Sequence, residues 1–232
     1  WAIASRYADR PVRATSCTRL AFSLLLGLLL PAAARAGDAA WLPLRPAERW
    51  EYEVKRDHQF SPANANIDRV FSEGTLVREV IGREGAIARV RETLRLLPAQ
   101  SGAREEVESS VERWSDTNGL SIEGVRSENR TPAQEIEYRP PLRWLPAAPE
   151  PGVRWQVGTL RWDGAAYALS AEVLGREDVV EETSRWEKCL KVRYAGPISG
   201  TVPVHGGSAA IQTGQVERLV WYKEGIGIVR ER

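Results

Sequence analysis

The sequence predicts an all-β protein: an antiparallel meander forming a strongly curved sheet, half-barrel or barrel, preceded by a cleavable signal peptide. Three observations carry this. Apolar and charged residues alternate with period two, as in Trp50, Tyr52 and Val54 against Glu51, Glu53 and Lys55, the period of a half-buried strand. The dipeptides Asn118-Gly119 and Asp163-Gly164 separate alternating runs, a strong short-range hairpin signal. Finally, Leu20 to Leu30 is an uncharged apolar run behind Arg13 and Arg19.

That run is read as the core of a secretory signal covering residues 1–36. Pro31 stops it, and Ala34-Arg35-Ala36 places small residues before Gly37, so cleavage is expected between Ala36 and Gly37. Eleven residues are too few to span a bilayer, which takes about 20. Cys17 precedes the apolar core, the wrong side for a lipid-modified cysteine. The chain has no Met, and Trp1 to about Val12 are set aside as upstream sequence.

Residues 37–232 are then expected to form a single β domain. Removing the signal takes away five Arg and one Asp, leaving 27 basic and 30 acidic residues, a net charge of −3. A slightly acidic domain lacks the basic footprint of a nucleic-acid binder. With Cys17 removed, Cys189 stands alone and no internal disulfide can form. Its place in a strand with Leu190, Val192 and Tyr194 suggests a small half-buried residue, not a reactive thiol.

The strands follow in order. Trp50, Tyr52 and Val54 mark the first. Arg83-Glu84-Gly85 turns Val77–Ile81 into Ile87–Leu96, and Asn118-Gly119 turns Val107–Thr117 into Leu120–Ser127. Asp163-Gly164 joins Arg154–Trp162 to Ala165–Leu174, and later strands fall near Trp186–Tyr194, Ile198–Val204, Gln215–Tyr222 and Ile226–Arg230. Two breaks interrupt the pattern. Asp57–Asp68 reads as a mobile loop, and the proline-rich Pro140–Pro151 as a strap across the sheet. A meander with one apolar face removes its edges by curling or closing; a two-sheet sandwich is the alternative. Pro46-Ala47-Glu48-Arg49-Trp50 and Pro151-Gly152-Val153-Arg154-Trp155 share Pro-x-x-Arg-Trp, a weak repeat compatible with two similar half-sheets.

Three patches carry a resemblance. Trp41-Leu42-Pro43-Leu44-Arg45-Pro46 with Trp50-Glu51-Tyr52 resembles the opening of bacterial exported β-rich proteins of unknown function, "[YF]-x-P-L-x-x-G-x-x-W-x-Y". Pro151-Gly152 with Trp155 is similar to their mid-chain "P-G-x-x-W", and Trp221-Tyr222-Lys223-Glu224-Gly225-Ile226-Gly227-Ile228-Val229 to their "W-Y-x-x-G-[VI]-G-x-V" ending. Ala47 departs from the pattern, which has Gly there. The resemblance implies one curved β domain in the cell envelope, and it implies no activity and no catalytic residues.

No catalytic, cofactor or metal residues are assigned. His205-Gly206-Gly207-Ser208 lacks a G-x-S-x-G elbow, and His58, His205 and Cys189 are too few and too scattered for a zinc site. The acidic runs Glu105, Glu106, Glu108, Glu112 and Glu177, Asp178, Glu181, Glu182 read as solvated faces. No phosphate-binding glycine motif occurs. Eight Trp follow the signal. Of these, Trp50, Trp114, Trp155, Trp162 and Trp221 are candidates for core or ligand contact, with Trp114 and Trp162 near rims. The sequence thus points to a non-catalytic periplasmic or secreted protein with no cofactor and no transmembrane segment in its mature chain. Its partner would be a lipid or other apolar molecule, a glycan, or another envelope protein. A secreted hydrolase using carboxylates, or Ser208 with His205, is the alternative.

Overall fold

A computed structural model describes residues 10–12, 41–60, 68–98, 104–129, 132–162, 164–181, 184–204, 207–210 and 214–232. Ala36, Gly37 and the apolar run of the expected signal lie outside these residues, as do residues 61–67 of the expected loop. Every regular element described is a strand.

The chain forms two antiparallel meanders. The first holds six long strands in sequence order: β2 (Arg49–Phe60), β3 (Asp68–Glu84), β4 (Ile87–Pro98), β5 (Glu106–Ser115), β6 (Gly119–Ser127) and β7 (Glu135–Pro146), with three-residue β1 (Arg10–Val12) beside β2. The second holds five: β8 (Arg154–Trp162), β9 (Ala165–Val180), β10 (Arg185–Val204), β12 (Gly214–Lys223) and β13 (Gly227–Glu231), and the short β11 (Gly207–Ala210) pairs with β10.

The expectation of one strongly curled or closed sheet is therefore corrected to two sheets. The physical reason lies in how the apolar faces are covered. A single sheet must curl over its own face, whereas two sheets bury each other's. One apolar cluster takes side chains from both meanders, including Trp50, Val80, Val90, Trp114 and Trp144 from the first and Trp155, Val173, Val192, Tyr194 and Tyr222 from the second. Each large side chain buried this way is worth about 1.5–3 kcal/mol.

Among the described residues, no backbone ladder joins β2 to β13 or β7 to β8. Side-chain donors bridge these edges instead. Trp50 Nε1 donates to the Ile226 carbonyl at 2.7 Å and the Tyr52 hydroxyl to the Ile228 carbonyl at 3.0 Å. On the other side, Trp155 Nε1 donates to the Arg143 carbonyl at 2.8 Å and the Tyr138 hydroxyl to the Arg161 carbonyl at 3.3 Å. The opening and closing patches of the resemblance thus meet, although 176 residues separate the bonded groups.

Two local readings change. The proline-rich strap is largely strand β7, whose Leu142, Trp144 and Leu145 are buried. Pro140 and Pro141 fall where β7 bulges against β6, between the pairs Gly124↔Glu137 and Ile122↔Leu142, and β7 is an edge. A residue without an N–H is tolerated there. The expected loop also shrinks, because Asp57–Phe60 pairs with Phe71–Asp68.

The Pro-x-x-Arg-Trp repeat proves to be one device used twice. Glu48 N donates to Arg45 O at 3.1 Å and Val153 N to Glu150 O at 3.0 Å. Each turn has Pro at its second position and a positive φ at its third, Ala47 at 69° and Gly152 at 84°, the pattern of a type II turn. Each then grips the second strand of its sheet: Ala47 N bonds Val80 O and Val80 N bonds Glu48 O, while Gly152 N bonds Val173 O and Val173 N bonds Val153 O.

Candidate functional site

Directly paired residues of an antiparallel ladder share a face, so the registers define what each sheet turns inward. In the first sheet one inward row runs Trp50, Arg78, Glu92, Ser110, Ser127, and the next runs Val80, Val90, Glu112, Val125. In the second sheet the rows are Trp155, Ala171, Tyr194, Arg218 and Val173, Val192, Val220, Glu231. Charged side chains at 78, 92, 112, 218 and 231 therefore sit in register with apolar residues, on the faces that the sheets turn to each other.

Their pairing is specific. Arg78 Nε donates to Glu92 Oε2 at 2.6 Å across β3 and β4. Arg218 Nη2 donates to Glu231 Oε2 at 2.5 Å across β12 and β13. Glu112 Oε2 accepts from the indole N–H of Trp114 at 2.8 Å, a neutral donor. All five charged groups are half-buried. The Arg218 guanidinium also lies over the Trp144 ring, 5.3 Å from its centroid.

Environment separates the two carboxyls on β4 and β5. Burial, and then the neighbouring Glu92 charge, push Glu112 up to about 7, against smaller opposing effects of Arg78, Trp114 and Arg218. Burial also works against an ionised Glu92, but the Arg78 charge and hydrogen bond outweigh it and hold Glu92 below the usual carboxylate range. For Arg78 and Arg218 burial opposes the charge, yet Glu92 and Glu231 respectively keep both above the ordinary guanidinium value. Since Val90 faces Glu112 and Glu92 faces Ser110, Glu112 and Glu92 are diagonal neighbours on one face.

An aromatic network adjoins this layer. Trp144 Nε1 donates to the Tyr222 hydroxyl at 3.0 Å, the Tyr194 and Tyr222 hydroxyls are 2.8 Å apart, and Tyr194 reaches the Trp144 carbonyl at 3.0 Å. Trp144 stacks on Tyr194 with centroids 4.7 Å apart, Trp114 meets Trp144 edge-on, and Trp155 meets Tyr194 edge-on. Burial pushes the Tyr194 phenol well above its ordinary value and Tyr222 up to about 12, so both remain neutral donors at physiological pH.

The candidate tryptophans divide. Trp50, Trp114 and Trp155 belong to the shared core. Trp114, expected near a rim, is buried because it pairs with Ala88 on the inward face. Trp221 faces outward from the second sheet, in a small cluster with Val179, Cys189 and Val229. Its indole donates to Glu177 Oε1 at 2.7 Å, with Lys191 Nζ 5.0 Å from the ring centroid. Trp162 ends β8 opposite Ala165, and its side chain lies outside the described residues. Cys189 is fully buried, and burial raises its thiol above the ordinary value.

The acidic runs are more varied than solvated faces. Glu105, Glu106 and Glu108 are exposed, whereas Glu112, on the same face of β5 as Glu106 and Glu108, is half-buried. Sequence reasoning missed Arg78, Glu92, Arg218 and Glu231. The available signal was parity: Arg78 shares a strand face with Leu76 and Val80, Glu92 with Val90 and Leu94, and Arg218 with Val216 and Val220. On the outer face of the second sheet, Arg154, Gln156, Ser170, Glu172 and Arg193 line an open depression of about 550 Å³. There Glu172 accepts from both Arg154 and Arg193.

His205 and the Ser208 side chain lie outside the described residues, and with them the pair of the hydrolase alternative. Among the described residues, no group of three or more His, Cys, Asp and Glu is placed to hold a metal ion. Nor, among them, is any helix long and apolar enough to cross a membrane. No protein-family model, curated protein or solved structure matches the chain. It is a β-rich protein with no family identified.

Proposed function

We propose that the chain is a non-catalytic cell-envelope protein that binds a glycan at the polar layer between its sheets. The observation supporting this is the mixed composition of that layer. Arg78, Glu92, Glu112, Arg218 and Glu231 lie beside Tyr52 and the Trp144–Tyr194–Tyr222 network. Alternating carboxyl and guanidinium groups suit sugar hydroxyls, which both donate and accept, and aromatic rings suit the apolar faces of sugars. An apolar ligand between the sheets is the weaker reading, because Trp114, Trp144, Trp155 and Tyr194 fill the adjacent space with mutual ring contacts. Placement in the envelope rests on the Ala36/Gly37 signal reading.

The test is titration of residues 37–232 with neutral and acidic oligosaccharides, followed by nuclear magnetic resonance. Selective shifts at Trp144 and Tyr52, lost in Arg218→Ala with the fold intact, are the expected result. Unchanged spectra at millimolar concentrations would end the reading.

One observation favours the hydrolase alternative. Glu92 is held ionised and Glu112 is pushed up to about 7 on adjacent strands, the kind of separation that assigns base and acid in carboxylate pairs. Turnover of glycosides by the unaltered protein, abolished in both Glu92→Gln and Glu112→Gln, would establish it.

A further inference from the structure

We infer that Glu112 is a proton-operated latch on the contact between the two sheets: neutral, it completes a charge-balanced layer, and ionised, it adds a negative charge that loosens the contact. This goes beyond the binding reading and does not depend on it.

The geometry begins with the balance of charges. Arg78 is paired with Glu92 within the first sheet and Arg218 with Glu231 within the second. Two guanidinium groups and two carboxylates balance. Glu112 is the fifth member, and its hydrogen-bond donor is an indole, not a cation. The charged groups that act on it come from three strands, Glu92 on β4, Arg78 on β3 and Arg218 on β12. Glu112 in turn acts on Tyr138 of β7, and its ladder partner on β6 is the uncharged Val125. Glu231 of β13 completes the layer through Arg218.

Ionisation puts Glu112 in competition with Glu92 and Glu231 for guanidinium groups that each already hold a carboxylate, although the buried Nε of Arg218 has no hydrogen-bond partner. Glu92 is a like charge that acts on Glu112, and Glu112 stands diagonal to it. Moving Arg78 or Arg218 toward Glu112 would strip a partner from Glu92 or Glu231, and a half-buried carboxylate without its cation is costly. Relief comes from admitting water between the sheets, where the screening is stronger. The Arg218–Glu231 pair bridges β12 and β13, so these strands respond first. With burial pushing Glu112 up to about 7, the latch works near neutral pH.

The bond from Trp144 Nε1 to the Tyr222 hydroxyl crosses from one sheet to the other, so exchange of that indole hydrogen reports on the contact. In the unaltered protein its protection factor, corrected for intrinsic exchange, is expected to fall about tenfold between pH 6 and pH 8. In Glu112→Gln, which keeps an oxygen for Trp114, protection should stay within about twofold over the same range. Carboxyl nuclear magnetic resonance on the unaltered protein supplies a second measurement. The Glu112 titration and the loss of protection should share a midpoint to within about half a pH unit. Constant protection in the unaltered protein, an equal loss in Glu112→Gln, or midpoints more than about one unit apart would each overturn the latch.

Discussion

Trp50 and Trp155 hold the same place in the two sheets. Each lies two residues beyond a turn with a left-handed third residue, Ala47 in one and Gly152 in the other. Each is preceded by an arginine whose ladder partner is a glutamate, Arg49↔Glu79 and Arg154↔Glu172. Each indole then leaves its own sheet and donates to a carbonyl of the other, Ile226 for Trp50 and Arg143 for Trp155. The two meanders are therefore opened by one device and pinned together by it on opposite edges.

The equivalence predicts a stabilising substitution. Ala47 holds φ at 69° and Gly152 holds φ at 84° at matching positions. A left-handed conformation costs an L-residue roughly 1–2 kcal/mol, and the greater freedom of unfolded glycine offsets about half of that. Ala47→Gly should therefore gain roughly 0.5–1 kcal/mol in urea unfolding. Gly152→Ala should lose a similar amount, because a Cβ there meets nothing within 4 Å and only backbone strain acts. An unchanged or lower midpoint for Ala47→Gly would contradict the shared turn.

The same relationship predicts how the sheets are held. Phenylalanine at either Trp removes one indole donor and some ring volume, at a cost of roughly 2 kcal/mol each. Trp50 pins β2 near the β12–β13 turn, and Trp155 pins β8 to β7, so the two sites share no partner. Losses measured by chemical unfolding of Trp50→Phe, Trp155→Phe and the double variant should add to within about 0.5 kcal/mol. A double variant no worse than either single one would show that the indoles do not act as separate pins.

Much of the fold was legible because turn chemistry is local. Gly85, Gly119 and Gly164 adopt the positive φ their hairpins require, at 60°, 90° and 82°. Whether the apolar faces met one another or curled on themselves was not legible, since period two assigns faces but not their partners. The same limit hid the charged layer. Glu112 ends an acidic run that otherwise faces water, and only the opposing sheet encloses it. Gly196-Pro197 reads as a break between strands, yet β10 continues through it, with Pro197 opposite Gln215. Glycine is needed at 196 because a Cβ there would lie 1.9 Å from the Ala168 carbonyl oxygen of β9. That is a constraint of close approach between strands, invisible in either segment alone.

Stability should fall as pH rises from about 5 to about 7, against the usual behaviour of carboxylates. In the native protein Glu112 is raised from its ordinary 4.5 to about 7, so between these values the folded state binds a proton that the unfolded chain has released. Stability then declines with rising pH across that window and levels off above it. Glu92, Glu128, Glu137, Glu172, Glu177 and Asp178 are all lowered. Burial opposes the ionised form of Glu92 and Glu177, but in all six the hydrogen bonds and nearby Arg or Lys charges prevail. Their stabilisation is present above their unfolded values and is lost as pH falls through their lowered native ones, so they act below the Glu112 window. The two trends set a stability maximum near pH 5, with Glu112 accounting for at most about 3 kcal/mol between there and pH 8. Urea unfolding at half-unit pH steps reads the profile directly. Glu112→Gln should flatten the limb between about pH 5 and 7 while leaving the acid limb in place, and a profile in Glu112→Gln that still declines over that range would assign the effect to another group.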